Sequence, residues 1–540
     1  MMTSNFKTFF LVLLFGGCTL GFAQFEDPGE EEATESEEVV MPMTATPAEV
    51  ATPSSAAEAG VLWVTATTQG WDFYRPWNKR NPSTNRFLGV ALENGMVMVT
   101  ASSLADVIFV ELERAVDGQR SPAQVEVIDY EANLALLRPE RASVLEGMAT
   151  VSLASDASIG DFMQILQLES TGSLAVTPGR LAAAEVGAYV VDKVGFLLYR
   201  VAAPLQSRDG STSLPVLNEQ GQLVGLMMRY DTRSQALDLV AAPIIQHFLQ
   251  DASDGVYQGF PRAGISYAAL RDPQLRRFVG AEDVLGGILI SKVQKGSSAD
   301  LSGIQAGDVL LRVGDFEVSP EGNILDPTHG LLQVGYVFST LGYVGDMLPL
   351  SILREGELRE LSLELARRDP NDYNIPPYVV DTPPDYVVLG GLVLQELSGT
   401  YLREWGAGWE QRAPLEFVYL YENQEDLLED PSERVVIFSQ LLPSPLTLGY
   451  EDIPRNQVTH INGQRIRSLV DAAAAIQEPE GQFHKIEFAG EPGMLFLDVE
   501  QVQAIAPELQ RVYGLPSLQR LDSQDAEDAP PSPAESEEAI

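Results

Sequence analysis

Between residues 61 and 250 short apolar runs recur at close spacing, with turn residues between them. The runs fall at 61–66, 87–92, 96–100, 106–112, 125–128, 133–137, 162–168, 190–199, 223–229 and 237–240. Many short strands separated by turns predict an all-β barrel or sandwich, because no single run buries enough surface alone. The stretch I-I-Q-H-F-L at 244–249 then reads as a short amphipathic helix, with His247 as a surface or packing residue. An aromatic loop over 70–80 carries Trp71, Phe73, Tyr74 and Trp77.

At 540 residues the chain has room for three or four domains at about 150 residues each. Its 77 acids against 35 bases give a net charge of −42. Such a surface repels nucleic acid and anionic lipid, so neither is expected as a partner. Part of the charge lies in two tails. Residues 24–60 hold ten acids and residues 521–540 hold seven, with no Lys or Arg in either. Their composition predicts disorder. Ahead of them, Lys7 is the only charge before an apolar run at 8–15, which predicts an export signal over 1–23. Two readings stand side by side there: cleavage after Ala23, or lipid attachment at Cys18 after Phe15-Gly16-Gly17. Cys18 is the only cysteine, so disulfides and cysteine-based metal sites are excluded from the mature chain, and no metal or cofactor is expected. No later run has the length of a transmembrane helix. From a bacterial source, the signal would imply the periplasm or cell surface.

Three motifs carry a resemblance. The strand V-M-V-T-A-S-S-L-A at 97–105 resembles the x-V-T-N-x-H-V of HtrA/Deg proteases. E-A-N-L-A-L-L at 131–137 resembles T-D-L-A-L-L, and G-S-T-S-L-P at 210–215 resembles G-N-S-G-G-P. P-W-N-K-R at 76–80 resembles the entry loop of the plant-type Deg branch. The resemblance implies a chymotrypsin-like double β-barrel over 61–250. It places Ser103 at the histidine position, Asn133 at the aspartate position and Thr212 at the serine position, with Gly210 matching an oxyanion-hole donor. The mechanism needs a hydroxyl, an imidazole and a carboxylate, so all three positions are degenerate. The four histidines are 247, 329, 460 and 484, none between 61 and 240. Ser213 and Leu214 replace two glycines, and Leu214 is expected to resist a positive φ. No catalytic residue is expected, and Thr212 reads as a turn residue.

The run 296–315, beginning G-S-S-A-D-L-S-G-I-Q-A-G-D-V-L-L, resembles the PDZ signature of the same family. It implies a PDZ domain over 255–368 whose carboxylate-binding loop is Arg262, Ala263, Gly264 and Ile265; Gly264 also reads simply as a strand-entry glycine. A Pro-rich stretch over 369–385 is expected as an extended linker. Residues 386–520 resemble the second PDZ domain of the Deg branch, with V-T-H-I-N-G at 458–463 and an Ala-rich helix from Asp471. His460 and His484 read as half-buried sheet residues. The expected fold is therefore mainly β, a chymotrypsin-like double β-barrel followed by two PDZ-like α+β domains. The expected function is binding of peptides or unfolded proteins as a chaperone, adaptor or regulator of an active Deg-type protease. The alternative is a serine-type endopeptidase with a non-standard site. The resemblance also implies a homo-oligomer, a trimer through the aromatics of 70–80, against which stands ordinary loop packing.

Overall fold

Strand β1 (Val61–Thr68) separates two apolar cores. Successive side chains point to opposite faces of a strand, so Leu62, Val64 and Ala66 enter one core while Val61 and Trp63 enter the other. A computed structural model describes residues 53, 55–56, 58–169, 171–191, 195–206, 212–428, 430 and 432–521. The export-signal run, Cys18, Gly210 and the acidic tail beyond 521 lie outside the described residues.

β1 closes a six-stranded barrel with β2 (Ser83–Ala91), β3 (Val97–Val99), β4 (Val107–Glu113), β5 (Arg120–Asp129) and β6 (Leu134–Pro139), in the order β1-β2-β3-β6-β5-β4. A second closed barrel runs β10-β11-β12-β9-β8-β7, from β7 (Phe162–Leu168), β8 (Leu174–Ala188), β9 (Gly195–Ala202), β10 (Pro215–Leu217), β11 (Leu223–Asp231) and β12 (Ala236–Ala241). β8 is absent from the sequence reading, and β9 starts later than the expected 190–199 run. The cause is local: β8 contains Pro178, Gly179 and three consecutive alanines, all poor strand formers. Gly179 is fixed by packing, since a Cβ there would meet Ile165 Cδ1 and Val201 Cγ1 at 2.9 Å. The helix Ala242–Asp251 follows, with His247 buried in it.

The next unit is a sheet ordered β13-β14-β15-β19-β20, built from β13 (Ile265–Ala269), β14 (Ile288–Val293), β15 (Val309–Val313), β19 (Met347–Arg354) and β20 (Glu357–Glu364). Short β16 (Phe316–Glu317) pairs with β15, and β17 (Asn323–Asp326) forms a hairpin with β18 (Gly330–Gln333). The aspartate of the Gly307-Asp308 turn holds the sheet together: buried Asp308 accepts two Arg354 bonds of 2.7 Å and one from the Gln305 N–H. Beyond it lie two four-stranded sheets and the helices Leu415–Leu427, Leu469–Ile476 and Val499–Tyr513. The architecture is thus two trypsin-like barrels followed by PDZ-like α+β modules.

The Pro-rich stretch is packed rather than free. Asn374 to Pro377 are buried, and Asn374 Nδ2 donates to the Asp430 and Glu433 carbonyls at 2.6 Å. The aromatic loop of 70–80 is likewise occupied within the chain. Phe73 joins a core with Ile375, Tyr401, Trp409 and Phe417. Trp77 packs edge-on against Tyr386 and donates its indole N–H to the Tyr513 carbonyl at 3.1 Å. Tyr74 meets Tyr401 and Trp405 edge-on. The loop-packing reading therefore accounts for these aromatics. Trp77→Ala is expected to cost about 3–5 kcal/mol of local stability. Hydrogen exchange would then rise in residues 386–521 more than in the barrels; equal or smaller change there would count against the anchor.

Candidate functional site

The motif-bearing segments meet where the two barrels adjoin. Asn133 precedes β6, the turn 100–103 follows β3, and Ser213 precedes β10. Asn133 is fully buried at φ +56°, a conformation Asn tolerates better than most residues. Its Oδ1 accepts the Ser102 N–H at 2.8 Å, while its Nδ2 has no partner. Half-buried Ser103 lies 3.2 Å, hydroxyl to hydroxyl, from Thr100. Thr212 is exposed. Thus the Asn133 amide oxygen is committed to a backbone N–H, and the Ser103 hydroxyl faces that of Thr100.

Sequence reasoning missed Ser213. It is buried, and it, rather than Leu214, carries the positive φ, +57°. Leu214 is buried with its carbonyl accepting the Met227 N–H, and its side chain fills core space. Ser213 Oγ accepts the Thr100 N–H at 3.1 Å, so it ties barrel two to barrel one and satisfies a buried donor. The clue in the sequence was a Ser where the resemblance has the first glycine after the nucleophile, a place that calls for a left-handed backbone. Gly210 lies outside the described residues.

Two imidazoles do approach the barrels, from outside the 61–240 stretch. His247 stacks between Phe260 and Tyr343, at 4.3 and 4.1 Å, and its Nδ1 faces the Thr340 carbonyl at 3.2 Å. Burial holds it below the usual histidine pKa. His329, in the turn between β17 and β18, faces Asp156 at 2.8 Å through Nε2 and Asp326 at 3.0 Å through Nδ1. The Tyr199 hydroxyl of β9 lies 2.8 Å from both the His329 ring and Asp156. Among the described residues, neither imidazole is hydrogen-bonded to Ser103, Asn133, Thr212 or Ser213. His460 is half-buried in its sheet and His484 is buried.

The expected peptide loop lines a cavity of about 1330 Å³. Arg262, Ala263, Gly264 and Ile265 all border it. Gly264 has φ +77°, and a Cβ there would meet Ser297 Cβ at 2.2 Å, so glycine is required on two counts. The carbonyls of Ala263 and Gly264 are taken by the Ala299 and Gln294 N–H groups at 2.9 Å. Among the described residues, the Ala263 and Gly264 N–H groups have no protein acceptor. β13 is an edge strand, paired only with β14, so its other side has a free row of backbone groups. Arg262 points elsewhere: its guanidinium holds Glu131 Oε2 at 2.6 Å and the Tyr373 hydroxyl at 3.1 Å. Burial pushes the Glu131 carboxyl up, and Arg262 opposes that shift. No group of His, Cys, Asp and Glu among the described residues has the arrangement of a metal site.

Two closed six-stranded barrels with this polar cluster at their junction define a trypsin-like domain. A family model described as "PDZ domain" matches residues 375–522. Protease Do-like 2, chloroplastic, of Arabidopsis thaliana is 24% identical over 468 residues, covering 86% of this chain and 75% of that protein. Protease Do-like 4, mitochondrial, of the same plant is 20% identical over 455 residues, covering 83% and 82%. A solved structure described as "HtrA-type protease AlgWS227A with decapeptide" aligns at a TM-score of 0.45 and 16% identity, over 58% of this chain and 96% of that one. The chain has a two-barrel trypsin-like fold, its residues 375–522 match a PDZ domain model, and it is similar in sequence to Do-like proteases.

Two outcomes test this geometry. Ser213→Ala strands the buried Thr100 N–H and keeps the left-handed backbone, so it should cost about 1–3 kcal/mol. Ser213→Gly also loses the bond but removes the strain, so it should cost less; denaturant titration compares them, and the reverse order would refute the assignment. For His329, burial alone would lower the pKa, but Asp156 and Asp326 outweigh it and raise it, with Tyr199 and Tyr336 as the other facing groups. A raised folded-state pKa stabilises fully below the unfolded value, about 6.5, and the contribution fades as pH rises through the folded pKa. Protection of the 323–333 hairpin should therefore fall as pH rises from about 6.5 through the raised His329 pKa in the native chain but not in His329→Gln. An NMR-measured His329 pKa under 6.5 would contradict this.

Proposed function

We propose that this HtrA/Deg-like chain binds peptides or unfolded proteins through its PDZ domains, and that its barrel domain does not cut them. The observation that carries this reading is that the Asn133 amide oxygen is committed to a backbone N–H and that, among the described residues, no imidazole is bonded to Ser103, Asn133 or Thr212. Without a base the threonine hydroxyl has no acceptor for its proton, and without a carboxylate no imidazolium would be stabilised. Loss of such a triad lowers the rate by roughly 10⁶-fold.

Binding is supported by the groove. A terminal carboxylate suits the Ala263 and Gly264 N–H groups, an extended backbone suits the open edge of β13, and a hydrophobic last side chain suits the wall of Phe196, Val334 and Phe338. The role is that of a chaperone, an adaptor or a regulator of an active Deg-type protease, in a protein exported to the periplasm or cell surface. Among the described residues no helix is long and apolar enough to cross a membrane. The Arabidopsis relatives support placing the chain near the plant-type branch.

A second reading, a serine-type endopeptidase with a rearranged site, is favoured by the similarity to Do-like proteases and by the exposure of Thr212. Incubation of purified chain with unfolded casein separates the two. No cleavage is expected. Cleavage that survives repurification and vanishes in Thr212→Ala would establish the second reading and end the first.

A further inference from the structure

The groove that the peptide reading uses is not built from one domain. Its cavity is bordered by Ile265, Ser266 and Lys292 of the first PDZ-like sheet, by Phe196 of β9, and by Asp426 near the end of the helix Leu415–Leu427. Lys292 Nζ and Asp426 Oδ1 are 2.5 Å apart, with Lys292 the more buried of the two at 26% side-chain exposure against 66%. The neighbouring Arg368 is already matched by Glu425 at 2.7 Å.

Register fixes what Lys292 would meet. It stands opposite Ser266 in the β13–β14 pair, and directly opposed residues share one face of a sheet. A peptide added to the free edge of β13, with its carboxylate at Ala263 and Gly264, puts its last residue beside Ile265 and its penultimate residue beside Ser266. That penultimate side chain projects on the face that Lys292 occupies, two strand spacings or about 10 Å away along the sheet. Two long side chains bridge such a gap. Left unpaired, Lys292 would favour an acidic residue at this place.

We propose that Asp426, supplied by the C-terminal unit, sets the selectivity of the first PDZ-like groove: by pairing with Lys292 it cancels a preference for an acidic penultimate residue in the bound peptide. The native chain accordingly accepts peptides that are neutral there, which suits the capture of varied unfolded ends. The proposal rests on the peptide reading, and it gives the C-terminal unit a part in recognition at a groove belonging to its neighbour.

The test uses the full chain and fluorescent peptides with a free hydrophobic C-terminal residue, differing only in Ala or Glu at the penultimate position. The native chain should bind the two within about two-fold. Asp426→Asn should favour the Glu peptide by roughly 2- to 5-fold, as expected for a partly exposed charge pair, and more so at low salt. Adding Lys292→Gln should return the ratio to the native one. An Asp426→Asn chain that binds both peptides with the native ratio overturns the proposal and leaves the peptide reading standing. A native chain that binds neither peptide overturns the peptide reading, and the proposal with it. Because Asn matches Asp in size and the site is largely exposed, the variant is expected to fold.

Discussion

The structure turns on a buried charge cluster at the segment 129–131, where barrel one meets the segment after the barrels, the start of the PDZ-like sheet and the Pro-rich stretch. Asp129 accepts the Tyr257 hydroxyl at 2.7 Å and lies 3.8 Å from Arg367, while Glu131 is held by Arg262. Between them Tyr130 donates to Asp381 of the Pro-rich stretch. Three consecutive side chains thus reach the segment after the barrels, the edge of the PDZ-like sheet and the connection to the C-terminal unit. Charges this deep are expensive to bury, so removing one partner would leave the other uncompensated. The arrangement fixes how the units face one another more than it adds net stability.

That constraint bears on function. The turn before β6 places Asn133 inward and gives its neighbouring carboxylates to interfaces. These polar groups help hold the barrels and PDZ-like units together. Ser213, bonded across the barrel junction, and His329, clasped by two aspartates, follow the same pattern.

The sequence read well where periodicity and turn chemistry act locally. The strand-rich first half and the Ala-rich helix, expected from Asp471 and found over Leu469–Ile476, were legible because alternation and helix propensity are properties of neighbouring residues. β8 was not, since its Pro, Gly and alanines are tolerated only through pairing with β7 and β9 on both sides. Ser213 escaped notice because its role is a bond to Thr100, 113 residues earlier. The Pro-rich stretch looked like a spacer because composition does not reveal that Ile375 enters a distant core.

By itself the sequence determined the kinds of element and the residue types at 103, 133 and 212, because both follow from side-chain chemistry at fixed positions. Only the tertiary structure decided that the aromatics of 70–80 pack into the C-terminal unit, and that an imidazole from residue 329 reaches the second barrel yet serves an interface. It also decided that the cavity beside residues 262–265 is walled by three units. These outcomes depend on which surfaces are buried together, and burial is set by long-range packing that no local pattern encodes.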